Sequence, residues 1–105
     1  MTNFADDIEK FAPEPILQVV IGKCWGTKIP KRKSMPKYKV LDWSEGRKWL
    51  DFETEFGYGT PKQPAIYAYT EHYVIGIDQY DGATSLFAIP RYPVNCKPQM
   101  LGGGG

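Results

Sequence analysis

The chain has 105 residues with a formal charge of +1, 42% hydrophobic and 24% charged residues. That is one domain, long enough to bury on the order of two-thirds of its unfolded surface around a single core, and it excludes wholesale disorder. The longest apolar stretch, around Ile16 to Gly22, is far too short to span a bilayer and is interrupted by Gln18.

The first residues, Met1 to Asp7, lack the basic start and apolar run of a secretory signal, so a cytoplasmic chain is expected. Cys24 and Cys96 are far apart, fit no CxxC spacing and share the chain with a single histidine, His72. No metal site is expected, and two reduced thiols are preferred to a long-range disulfide.

In chain order, Thr2 or Asn3 caps a first helix with Asp6 and Asp7 in its first turn and Lys10 near its end. Phe4, Ile8 and Phe11 recur at helical spacing and predict one face docked on the core. Pro13 and Pro15 end it. Ile16 to Ile21 reads as a buried strand closed by Gly22. Between Lys23 and Lys39 there are seven cations and no acid, with Pro30 and Pro36 opposing any helix. Of thirteen cations in all, six remain elsewhere against twelve acids. The near-neutral total therefore conceals a basic loop, residues 23–39, on an acidic body.

Tyr38 to Leu41 suggests a short strand, and Asp42 or Ser44 caps a helix to about Asp51 with Trp43, Arg47 and Leu50 on one side, weakened by Gly46. Phe56 to Pro61 is turn chemistry. Ala65 to Thr70, Tyr73 to Tyr80 and Ala83 to Ile89 are strands rich in β-branched and aromatic residues, separated by Glu71-His72 and Asp81-Gly82. With two-residue loops, Tyr67 faces Gly76, Ile66 faces Ile77, Gly76 faces Phe87 and Ile77 faces Leu86. One side then carries Ile66, Ala68, Ile75, Ile77, Leu86 and Ala88, a consistent core face. The expected fold is a two-layer α+β domain over residues 1–101, with an antiparallel sheet of four or five strands, the N-terminal helix and a short second helix on one side, and a flexible glycine tail at 102–105.

Two constellations bear on function. The row Tyr67, Gly76, Phe87 leaves a slot for a planar ligand with Tyr69 and Asp78 at its edges, unless the rings simply fold over the bare glycine; stacking a base is worth about 1–3 kcal/mol. The basic loop offers Lys23, Lys28, Lys31, Arg32 and Lys33, interleaved with Trp25, Met35 and Tyr38, to phosphates or to an acidic protein surface, and the bare backbone of Gly22 and Gly26 lets an anion approach closely. His72 reads as a solvated turn residue. Asp51, Glu53 and Glu55 alternate on one side of an extended segment but lack the glycine and spacing of a calcium loop. Gly57-Tyr58-Gly59 is too short for a phosphate loop, and no constellation specifies catalysis. No enzyme activity and no cofactor are expected. Leu101-Gly102-Gly103 resembles the tail of ubiquitin-like proteins, but the order of elements does not, since the helix comes first here.

Gly57-Tyr58-Gly59, Ile66 to Thr70, Tyr80 to Thr84 and Ile89 to Pro93, with Val20-Ile21-Gly22 early in the chain, resemble small bacteriophage-encoded proteins over most of the length. The resemblance implies a phage origin, an intracellular site of action in the host cytoplasm, and the counter-defence role common among small phage accessory proteins. Two functions are then expected. One is a non-catalytic binder of a phosphate-bearing ligand such as a nucleotide signal, with Tyr67 and Phe87 stacking a base and Lys23, Lys28 and Arg32 meeting phosphate. The other is a protein-binding inhibitor of a host immune or metabolic enzyme acting through exposed aromatics and the basic loop. An exposed edge strand also favours a homo-oligomer.

Overall fold

The structure, a computed structural model, describes residues 2–24, 35–57, 63–80, 82–98 and 100. Its elements are β1 (Thr2–Asn3), α1 (Phe4–Phe11), β2 (Gln18–Cys24), β3 (Val40–Asp42), α2 (Trp43–Leu50), β4 (Glu53–Thr54), β5 (Pro64–Tyr69), β6 (Tyr73–Tyr80) and β7 (Ala83–Pro90). β1 and β4 form a small antiparallel pair, and the main sheet has the order β3-β2-β5-β6-β7, antiparallel throughout. The expected α+β class holds.

Local chemistry explains the helices. The Asn3 side chain accepts the Asp6 N–H (3.1 Å), and Ala12 N–H closes the last turn on Ile8 O before Pro13 ends the helix. Phe4, Ala5 and Ile8 are fully buried, but Phe11 is 45% exposed, so the docked face is shorter than the spacing suggested. β3 runs directly into α2, whose Trp43 N–H donates to Leu17 O rather than to a side chain of its own cap. Glu9 then ties the two helices together. It accepts from Trp43 Nε1 (2.7 Å) and Arg47 Nε (3.0 Å), while Arg47 also reaches Asp6. The hydrogen bond from Trp43, then that from Arg47, holds the Glu9 carboxyl below its ordinary value.

The register of the C-terminal meander is the expected one. Ala68 pairs with Ile75 and Tyr69 with Val74, and β6 pairs with β7 without interruption from Tyr73↔Pro90 to Tyr80↔Ala83. The core lies on one face, where Val19, Ile21, Ile66, Ala68 and Ile75 meet Phe4, Ile8 and Leu50. Two strand boundaries differ from expectation. Gly22 does not close β2, which continues to Cys24 with a register shift against β5 between Ile21 and Cys24. β3 starts at Val40 because Tyr38 has φ of +66°, which no extended strand accommodates.

Among the described residues no helix packs on the opposite face. Val20 lies opposite both Val40 and Tyr67, Gly76 opposite Phe87, and Gly76 follows Tyr67 in the β5–β6 register. A single row, Val40, Val20, Tyr67, Gly76, Phe87, thus crosses all five strands, with Tyr69, Val74 and Ile89 in the row beside it. Val40 is 63% and Tyr67 57% exposed. An antiparallel sheet with one solvated face normally alternates to polar residues there. Here Gln18 and Asp42 continue the row of Tyr69, Val74 and Ile89, and Asp78 and Ser85 lie beyond Gly76 and Phe87, so an apolar row runs between polar ones.

Candidate functional site

The open face holds a cleft of about 390 Å³ lined by Val20, Gly22, Lys23, Tyr38, Ala65, Tyr67 and Phe87, among others. That volume suits a small ligand, and aromatic walls with one cationic group are the usual lining of such sites. The backbone makes the cleft. At Gly22 a Cβ would stand 3.3 Å from both Cβ and O of Ala65, so a side chain here would crowd the space beside β5. Tyr38 is anchored by its N–H on Ile21 O (2.9 Å) and held in the left-handed region, and it is 70% exposed. A tyrosine in that conformation is strained, and such strain concentrates at binding sites.

The expected site residues divide into three groups. Lys23, Tyr67 and Phe87 do line one cleft. Tyr69 lies elsewhere, with the Arg91 guanidinium 5.4 Å from its ring centroid. Trp25, Lys28, Lys31, Arg32 and Lys33 lie outside the described residues, as do Asp81 and the 102–105 tail. The slot expected over Gly76 is filled, because a Cβ there would be 2.7 Å from Phe87 Cζ. The Phe87 ring lies over the glycine, and the open space is on the Tyr38–Tyr67 side. Met35, expected beside a ligand, is buried in the core. Lys37 and Lys39, flanking Tyr38, are exposed.

Tyr38 was visible in the sequence only as an aromatic interleaved with the basic loop, since a positive φ at a tyrosine leaves no sequence signal. Gly22 was read as a strand end whose bare backbone an anion could approach; it lies within β2 and lines the open cleft.

His72 is not a free turn residue. Glu14, held between Pro13 and Pro15, accepts from His72 Nδ1 (2.5 Å), His72 N–H (2.9 Å) and Thr70 Oγ1 (2.7 Å). The Tyr92 ring stands edge-on to the imidazole, and Tyr92 OH donates to Glu71 O. The His72 hydrogen bond, then that of Thr70, pulls the Glu14 carboxyl from 4.5 to about 2, and the same bond to Glu14 raises His72 above 6.5. A lowered acid contributes stability above its unfolded value and loses it as pH falls toward 2; a raised histidine contributes below 6.5 and loses it as pH climbs through its folded value. The pair is therefore strongest between pH 4.5 and 6.5. Chemical denaturation of wild type and Glu14→Gln across pH should show the largest stability difference in that window, narrowing at higher and lower pH. A difference that does not vary with pH would show that the ion pair adds nothing.

Asp51 accepts from Asn3 Nδ2 (2.6 Å), and among the described residues no three His, Cys, Asp or Glu side chains are grouped to hold a metal. Among the described residues no helix is long and apolar enough to cross a membrane. No known protein family, curated protein or solved structure matches the chain. Fold and site together define a small α+β domain with one face of its sheet open and aromatic.

Proposed function

We propose that this domain is a non-catalytic binding protein whose open sheet face takes a planar, phosphate-bearing ligand of the nucleotide type. The cleft between Tyr38, Tyr67 and Phe87, with Lys23 in its lining, carries this reading. The rings supply a stacking surface that tolerates any base. Lys23, with Lys37 and Lys39 exposed nearby in the chain and the run Lys28 to Lys33 between them, supplies the countercharge for phosphate. In a phage-encoded protein, sequestering a nucleotide signal would blunt a host defence. The extent of the exposed face, from Tyr38 and Val40 to Ile89, also suits an acidic protein surface, as in an inhibitor of a host enzyme.

Calorimetry with mononucleotides, linear and cyclic dinucleotides and inorganic phosphate distinguishes these readings. A base-bearing ligand should bind in preference to phosphate alone, and Tyr67→Ala should weaken it by about 1–3 kcal/mol, the value of one stacked base. Lys31, Arg32 and Lys33 reversed together to Glu should lower affinity most at low salt, since exposed charges are screened within about 8 Å at physiological ionic strength. If no nucleotide binds while an acidic host protein is retained by wild type and lost on Tyr67→Ala, the protein-binding reading replaces this one.

A further inference from the structure

The cleft is one end of a longer strip on the open face. β5 turns Ala65, Tyr67 and Tyr69 to that side, and β2 sets Val20 and Gln18 beside them. None of these is acidic, whereas Asp42 on β3 and Asp78 on β6 stand to either side of the strip. Cations mark both of its ends. Lys23 lines the cleft with Ala65, and Lys37 and Lys39, on either side of Tyr38 in the chain, are exposed. At the other end Arg91 turns back over β5, where its guanidinium stands 5.4 Å from the Tyr69 ring centroid and its Nη1 donates to Thr70 O (2.7 Å). Those two contacts hold the charge in place. Among the described residues no carboxylate pairs with Arg91, Lys23, Lys37 or Lys39. Ala65 and Tyr69 are about 14 Å apart along the strand, and Tyr67 lies midway, 57% exposed.

We infer, on the nucleotide reading of the cleft, that the strip binds a single-stranded polynucleotide, with a base on Tyr67 and backbone phosphates on both sides of it, toward Lys23 and toward Arg91. A mononucleotide carries phosphate on one side of its base and meets only one end of the strip. A nucleotide inside a chain carries phosphate on both. A cyclic dinucleotide folds its two phosphates toward each other, whereas these cations lie at opposite ends of an extended track. Charge complementarity points the same way. Residues 23–39, which begin at the cleft, hold seven cations and no acid, a match for a polyanion rather than for one phosphate group. Aromatic rings set between cations hold single strands with little sequence preference. A duplex keeps its bases stacked inside and offers none to Tyr67.

Calorimetry of the full chain with thymidine monophosphate, tetrathymidylate, tetrauridylate, a cyclic dinucleotide and a short duplex tests this. Affinity should rise about ten-fold or more from the monophosphate to a tetranucleotide, and the ratio of the thymidylate to the uridylate tells DNA from RNA. Arg91→Gln should weaken the tetranucleotide several-fold, flatten its plot of log affinity against log salt by about 0.7, and leave the monophosphate unchanged. Tyr67→Ala should weaken both ligands. The length dependence of the wild type carries the test if Arg91→Gln does not fold. Tetranucleotides that bind no tighter than the monophosphate, or a folded Arg91→Gln protein with unaltered tetranucleotide affinity and salt slope, overturn the proposal and leave a mononucleotide site in the cleft. A cyclic dinucleotide or a duplex that binds more tightly than either tetranucleotide overturns it as well. Binding of none of these ligands removes the nucleotide reading together with the proposal.

Discussion

Gly46→Ala should destabilise the protein, although glycine-to-alanine inside a helix ordinarily stabilises by roughly 1 kcal/mol. The reason is the approach of α2 to the sheet: a Cβ at Gly46 would stand 2.1 Å from Val19 Cγ1, and Val19 is fully buried. A β-branched side chain has few rotamers to retreat into. Overpacking of this kind costs about 1–3 kcal/mol, and a clash this close belongs at the upper end, leaving a net loss of about 2 kcal/mol after the propensity gain. Val19→Ala alone removes buried methyl groups and should cost about 2 kcal/mol. Made together, the two changes should cost about 2 rather than 4 kcal/mol, because the smaller residue 19 makes room for the new methyl. Urea denaturation of the four proteins measures this coupling directly. Simple additivity, or a stabilised Gly46→Ala, would contradict the packing described.

Phe4→Ala should have the larger single effect. Phe4 is fully buried, its ring centroid lies 5.6 Å from that of Phe52 and 6.2 Å from that of Phe56, and its N–H donates to Phe52 O (2.9 Å). Truncating such a residue costs about 3–5 kcal/mol, a large share of the roughly 5–15 kcal/mol available to a small domain. Phe11→Ala in the same helix, at a half-exposed ring, should stay near the 0.5 kcal/mol typical of surface changes. Thermal unfolding of both variants should therefore show a wide gap in midpoint. Equal losses would mean that Phe11 is docked as well.

The contrast between these phenylalanines marks what the sequence can and cannot convey. Helical spacing selects both rings, but only the chain's path at Pro13 and Pro15 decides which turn remains under the sheet. The β6–β7 register was legible because period-two alternation and an Asp-Gly turn constrain it from both ends. Gly46 was visible only as a poor helix former, since its value lies in a contact with Val19, 27 positions away in the chain. The Glu14–His72 pair spans 58 positions and had no local pattern to announce it. Of the site, Tyr67, Phe87 and Lys23 were found from alternation and charge. Tyr38 was marked only as one aromatic of the basic loop, because a left-handed backbone at tyrosine has no sequence signature.

The central claim is that the open sheet face is the binding surface. An NMR titration of the isotopically labelled protein with a nucleotide panel tests it residue by residue. The account predicts saturable shifts clustered at Gly22, Lys23, Tyr38, Ala65, Tyr67 and Phe87, with Ile8, Val19 and Leu50 on the helix side unmoved. Saturable shifts centred instead on the helices or on the Glu14–His72 turn, or no saturable shift with any nucleotide, would contradict it.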